Sequence, residues 1–287
     1  MQIKDYLDSQ YLHTQYLPEL RDAVLDHLLN VTDDELKNED RKTVSDIISI
    51  MEDLLHHMDD STELMERFKL DMALKFLKSP FLEKRIAGLS DIREVTVRVL
   101  NKRDMLLRHG ERMMMDTDPG IDIDYLIRWF KEKQVVEYLY GANMHLELIK
   151  RASDLLKFLA VQGQFEQRHI DLLWQASSAK HETISHTVWG SIKALASYLT
   201  VEQLDYLFER IKLIPYHEYS ANTLSLVRDV TIHGLGVAQH HHEKRYYGLE
   251  SLWNLIQDET NVPHELFMNA LNTLMELFTM TPVLPHR

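Results

Sequence analysis

LELIKRASDLLKFLAVQGQFEQRHIDLLWQA, residues 146–176, decides the fold class. Leu148, Ala152, Leu155 and Leu159 step by four, three and four residues, the spacing that lines up side chains on one face of an α-helix. Gln162-Gly163-Gln164 stops that stripe, because glycine readily takes the left-handed conformation with which helices close. A partner helix is then expected from about Phe165 to Ala176. No strand-like alternation separates the two.

The pattern repeats downstream. Ile184, Val188, Ile192 and Leu195 make another stripe, and Thr200-Val201-Glu202-Gln203 is a capping box that opens the helix of Leu204, Leu207, Phe208 and Ile211, which Pro215 ends. Further helices are expected from about Glu218 to Leu235, from Glu243 to Gln257 and from Pro263 to Phe278.

Upstream, Pro18 suits a first helical turn, and Leu20, Val24, Leu25 and Leu28 follow it at helical spacing. Thr32 and Glu35 form a second capping box. Val44, Ile47, Ile48, Met51, Leu54 and Leu55 give one apolar face, and Leu64, Phe68, Met72, Phe76 and Leu77 another. Ser79-Pro80 reads as a stop and restart before a long helix faced by Leu82, Ile86, Leu89, Ile92, Val95 and Val99. The polar run Asn101–Arg112 either extends that helix or frays. Asp116-Thr117-Asp118-Pro119-Gly120 is a strong breaker, so a loop is expected near 113–120, with the next helix from about Asp122 to Lys133.

Composition agrees with helices throughout. Gly (9) and Pro (7) are scarce in 287 residues, and 45% hydrophobic with 27% charged side chains suits a chain that buries a core. Helix pairs recurring every 35 to 45 residues or so suggest a solenoid. One internal echo supports this: Glu83-Lys84-Arg85-x-x-Gly88-Leu89-x-x-Ile92 returns 160 residues later as Glu243-Lys244-Arg245-x-x-Gly248-Leu249-x-x-Leu252. A glycine inside a helix costs about 1 kcal/mol against alanine, so its recurrence points to close helix-helix approach.

The totals also exclude function classes. A formal net charge of −13, from 45 acidic and 32 basic side chains, disfavours nucleic acid, whose binding rests on neutralising phosphates. With no cysteine there is no disulfide, thiolate nucleophile or cysteine-rich zinc site, and a cytoplasmic or nuclear address is expected. The first residues lack a signal-peptide pattern and no apolar run of about 18 residues follows, so no membrane partner is expected.

Candidate sites weaken on geometry. His181-Glu182-Thr183-Ile184-Ser185-His186 resembles a zinc-protease HExxH, but its histidines are five apart, a rotation of about 140° that keeps them from sharing one metal. His240-His241-His242 with His233, and His56-His57, read as polar helix ends. Asp116, Asp118, Asp122 and Asp124 suggest calcium, but the positions where an EF-hand needs its third and last ligands hold Gly120 and Ile127. Met113-Met114-Met115 reads as core or loop, and Trp129, Trp174, Trp189 and Trp253 fall in apolar helical patterns that predict core packing, with a partner hot spot as the other use of a tryptophan. No GxGxxG, Walker A or GxSxG motif occurs. No catalytic, metal or cofactor-binding residue is assigned, and no cofactor is expected.

The wording of one region says more. Trp129-Phe130-Lys131-Glu132-Lys133-Gln134-Val135-Val136-Glu137-Tyr138-Leu139-Tyr140-Gly141-Ala142-Asn143-Met144-His145-Leu146-Glu147-Leu148-Ile149-Lys150-Arg151, with Leu156–Ala160, His169-Ile170-Asp171-Leu172-Leu173-Trp174 and Lys180-His181, resembles the helical-repeat region of very large ubiquitin-specific proteases of the fat facets type. The likeness covers roughly residues 79–215 and includes Ser79–Arg85 leading into Gly88-Leu89. It implies an armadillo-like or HEAT-like superhelical scaffold lying outside the protease domain of a cysteine-type deubiquitinase. Because such catalysis needs a cysteine nucleophile and this chain has none, no catalytic residue carries over.

The expectation is therefore an all-α solenoid of stacked antiparallel helix pairs, with N-terminal repeats over 1–78 and continuing repeats over 79–287 in one array. Its function would be non-catalytic recruitment of substrates or regulators in deubiquitination, with basic segments favoured by the acidic chain. A free-standing armadillo-type adaptor and an all-helical enzyme domain with an unrecognised site stay open as alternatives.

Overall fold

The computed structural model describes residues 16–32, 35, 41–55, 61–109, 120–178, 181–241, 247–257 and 262–280. His56-His57, Met113–Met115, Asp116, Asp118, Lys180, His242 and the expected helical start at Glu243 lie outside these, as does the 113–119 loop. Among the described residues every regular element is helical. The chain divides into two compact units, Met1–Lys133 and Gln134–Arg287.

The first unit holds α1 (Leu17–Asn30), α2 (Arg41–Leu55), α3 (Ser61–Leu77), α4 (Leu82–His109) and α5 (Ile123–Lys133). Between α3 and α4, Gly88 lies against Ala73 and Leu77 while Arg98 meets Glu66. Positions rise along one helix as they fall along the other, so the pair is antiparallel. The core joins Leu25 and Leu28 of α1, Val44, Ile48 and Met51 of α2, and Met65, Phe68, Met72 and Phe76 of α3. The polar run after Asn101 extends α4, which continues to His109. The Thr32–Glu35 box is formed: Thr32 N donates to Glu35 Oε2 at 2.8 Å and Glu35 N to Thr32 Oγ1 at 3.3 Å.

The second unit holds α6 (Val135–Tyr140), α7 (Leu146–Val161), α8 (Gln167–Ser177), α9 (Glu182–Leu195), α10 (Val201–Lys212), α11 (Ala221–His241), α12 (Leu249–Leu255) and α13 (His264–Met280), with short 3-10 turns at Ala196–Tyr198 and Tyr216–Glu218. Alternate helices stack in rows. Helix α7 packs on α9, α9 on α11 and α11 on α13, while α6 packs on α8 and α8 on α10. Successive helices touch across the rows, as in α8 with α9 and α10 with α11, which is the packing of stacked helix pairs.

Local chemistry sets the boundaries. After α7, Gly163 takes φ 66°, its N donates to Ala160 O at 3.0 Å and Gln164 N donates to Leu159 O at 2.8 Å, a Schellman closure. The Thr200–Gln203 box opens α10 with both of its reciprocal bonds. Two further boundaries rest on features that residue type does not announce. Gln134, at φ 53°, is the positive-φ residue other than glycine among the described residues, and it separates α5 from α6 where neither glycine nor proline marks a break. The described part of the helix expected over 243–257 begins at Leu249, and Gly248 just before it lies against α11: its N donates to Thr231 Oγ1 at 2.9 Å, and a Cβ there would lie 2.2 Å from Val227 Cγ1. Helix α7 is more buried than one stripe predicts. Ile149, Leu156 and Phe158, off the four-residue stripe, are also buried because α7 has neighbours on several sides.

Candidate interaction surfaces

The residues of the distinctive 129–174 wording turn to structure. Trp129 is buried and donates from Nε1 to Asp71 Oδ1 at 2.9 Å, with Lys133 Nζ 3.4 Å from the same carboxylate oxygen. Gly141 gives its N to Glu137 O at 2.9 Å, and a Cβ on it would come within 2.4 Å of that oxygen. His145 caps α7 by accepting from Glu147 N through Nδ1 at 3.2 Å. Glu147 takes hydrogen bonds from Lys150 at 2.8 Å and Arg151 at 2.6 Å, and these two cations hold its carboxyl down to about 2.

The His169-Ile170-Asp171-x-x-Trp174 segment works the same way. His169 is buried, stacks on Phe165 with 5.3 Å between centroids and accepts from Glu166 N at 2.8 Å, completing the cap of α8. Asp171 accepts from Tyr206 at 2.9 Å and from Arg210 at 2.6 Å, tying α8 to α10. The hydroxyl of Tyr206 and the carboxylate of Asp171 raise the Arg210 pKa. Trp174 meets Trp189 edge-on at 5.3 Å. Farther along, Arg228 donates from Nε to Glu276 Oε2 at 2.7 Å and also from its terminal nitrogen, a two-pronged bond that fastens α11 to α13 and lowers the Glu276 pKa.

The near-motifs gain nothing from the fold. His181 is the exposed N-cap of α9 and His186 is exposed on that helix. Asp122 caps α5 by accepting from Tyr125 N at 2.6 Å, and Ile121 is buried. Helix α11 runs through His240 and His241. Among the described residues no group of three His, Cys, Asp or Glu is placed to hold a metal ion. No described helix is long and apolar enough to cross a membrane.

Two features remain as surfaces. One is in the first unit, where α2 and α4 flank a trough of about 620 Å³ floored by Met72, Ala73 and Phe76 of α3. The other is apolar exposure in the last two helices: Trp253, predicted to pack in the core, is 57% exposed, and Met275 and Phe278 of α13 are exposed to a similar degree. Nothing in the α12 periodicity separates Trp253 from a core position, since the side it faces depends on how α12 meets α11 and α13.

Glu66 is a structural residue that helical periodicity does not mark. It is 9% exposed, its Oε2 accepts from Ile121 N at 2.7 Å and its Oε1 lies 2.6 Å from Arg98, so it pins the strand of chain entering α5 to both α3 and α4. Gly120 leaves the room: a Cβ there would lie 2.5 Å from Glu66 Oε2.

Comparison with known proteins agrees with this architecture. A profile described as the UBP24/USP9X/USP9Y ARM repeat matches residues 63–284. The chain is 28% identical over 214 residues to human ubiquitin carboxyl-terminal hydrolase 34, covering 74% of this chain and 6% of that protein. It is 31% identical over 169 residues to mouse ubiquitin carboxyl-terminal hydrolase 34, covering 58% of this chain and 4% of that one. It is 27% identical over 198 residues to the probable ubiquitin carboxyl-terminal hydrolase FAF of Drosophila melanogaster, covering 65% of this chain and 7% of that one. The chain thus spans a small fraction of the length of these relatives. Among solved structures, a designed armadillo repeat protein aligns at TM-score 0.40 and 14% identity, covering 88% of this chain and 98% of its own. With its profile match running over most of its length, the chain belongs to the UBP24/USP9X/USP9Y ARM repeat family.

Proposed function

We propose that this chain is a non-catalytic protein-binding scaffold within a large ubiquitin carboxyl-terminal hydrolase, holding substrates or regulators for deubiquitination. The observation that carries the reading is the use made of the polar residues in the family-like wording. His145, Glu147, His169 and Asp171 are engaged in helix caps and ion pairs, so they build the frame. The chain has no cysteine to act as a thiol nucleophile. Stacked helix pairs offer extended surfaces suited to protein partners, and a net charge of −13 favours those with basic segments.

Two measurements test it. The purified chain, incubated with ubiquitin carrying a C-terminal fluorogenic amide, is expected to release no fluorophore, and release by the chain alone overturns the reading. Immobilised on beads, the chain is expected to retain a reproducible set of proteins from a cell extract, and retention no greater than that of an unrelated acidic helical protein also overturns it.

A further inference from the structure

We propose that the trough between α2 and α4 takes a short, basic, amphipathic peptide segment of a partner protein; this rests on the scaffold reading and gives it one surface and one chemistry. The floor is apolar. Met72, Ala73 and Phe76 share one face of α3 and, with Val44, Ile48 and Val95, give the trough a packed, preformed apolar lining. The volume of about 620 Å³ matches that of pockets that hold a ligand's anchoring groups.

The charges choose the partner. Lys69 is 2.5 Å from Glu52, and Arg98 is 2.6 Å from Glu66. Lys42 and Asp91 are engaged as well. Among the described residues, the charged side chain that lines the trough without a partner is Glu94, which is exposed. A segment that lays an aliphatic group on the floor and sets a lysine or arginine beside Glu94 satisfies both features. An anionic segment would face that carboxylate and would have to draw Lys69 or Arg98 away from Glu52 or Glu66.

The test is fluorescence anisotropy on the whole chain with labelled peptides of equal length. One carries leucines at helical spacing among lysines and arginines, one has glutamate for each basic residue, and one has serine for each leucine. The first is expected to bind and the others to bind at least about fivefold more weakly. Glu94→Lys and Ser45→Trp, the latter filling the mouth of the trough from an exposed position on α2, are each expected to weaken binding about fivefold or more without changing the circular dichroism spectrum. Glu182→Lys, the same charge change on an exposed site of the second unit, should leave binding unaltered.

Failure of all three peptides to bind, preference for the acidic peptide, or indifference to both trough variants overturns the proposal. The bead experiment separates this from the broader reading. If wild type and both variants retain the same proteins, the trough is wrong and the scaffold stands; if wild type retains none, the scaffold reading itself fails.

Discussion

A Cβ built on Gly88 would lie 2.3 Å from the carbonyl oxygen of Ala73, closer than any real Cβ contact. The amide nitrogen of Leu77 is 2.5 Å away on the same side, so α4 meets the backbone of α3 with no room for a methyl group. Backbone atoms inside a helix cannot yield as a flexible side chain does. Gly88→Ala is therefore expected to force the two helices apart and cost about 3 kcal/mol, read from urea unfolding. Gly190 supplies the control. It sits exposed within α9, and a Cβ added to it would meet nothing within 4 Å, so Gly190→Ala should stabilise by about 0.5–1 kcal/mol through helix propensity. Equal effects of the two changes would refute the packing argument.

Glu66 fastens two elements at once, and its removal should show it. Glu66→Ala leaves the buried Ile121 amide and the Arg98 guanidinium without their acceptor. A loss of about 2–3 kcal/mol is expected. Hydrogen exchange gives a more local readout: the Ile121 amide should lose protection in Glu66→Ala and largely keep it in Glu66→Gln, whose amide oxygen accepts the same bond.

The Gly163 closure predicts a smaller and different effect. No atom lies within 4 Å of a Cβ placed there, so sterics against neighbours are absent and only the left-handed φ of 66° opposes a side chain. Gly163→Ala should cost about 1 kcal/mol, and Gly163→Asn less, since asparagine tolerates that conformation better. If both substitutions cost the same, the backbone explanation is wrong.

These residues also mark how far the sequence is legible. The cap at Thr200–Gln203 and the stop at Gly163 depend on neighbours three to five positions away, and local sequence pattern reports such distances well. The paired glycines of the 83–92 and 243–252 echo point to close approach, and Gly88 against α3 and Gly248 against α11 show it. What periodicity does not report is chemistry between distant positions. Trp129 finds Asp71 across 58 residues and Glu66 finds Ile121 across 55. The left-handed turn at Gln134 has no residue type to announce it, and the exposure of Trp253 is set by the angle between helices. The family-like wording is visible as wording, while its use in caps and inter-helix bonds needs the fold.

Alkaline pH offers the last prediction. Tyr140 is almost fully buried and its hydroxyl has no hydrogen-bond partner among the described residues; burial pushes its pKa up to about 12 from 10.0. Burial, with the nearby Tyr216, likewise raises Tyr219 to about 12. Both groups resist losing a proton when folded. Above pH 10 or so the unfolded chain ionises while the folded chain does not, so the stability these tyrosines contribute is complete below about pH 10 and is lost as pH climbs towards 12. Unfolding midpoints measured across that window should fall for wild type and fall less for the Tyr140→Phe, Tyr219→Phe pair. At neutral pH, Tyr140→Phe removes an unsatisfied hydroxyl and should leave stability unchanged or raise it by about 1 kcal/mol. A clear loss at neutral pH would mean that the hydroxyl has a partner, with Ser191, the polar residue facing it, the first to examine.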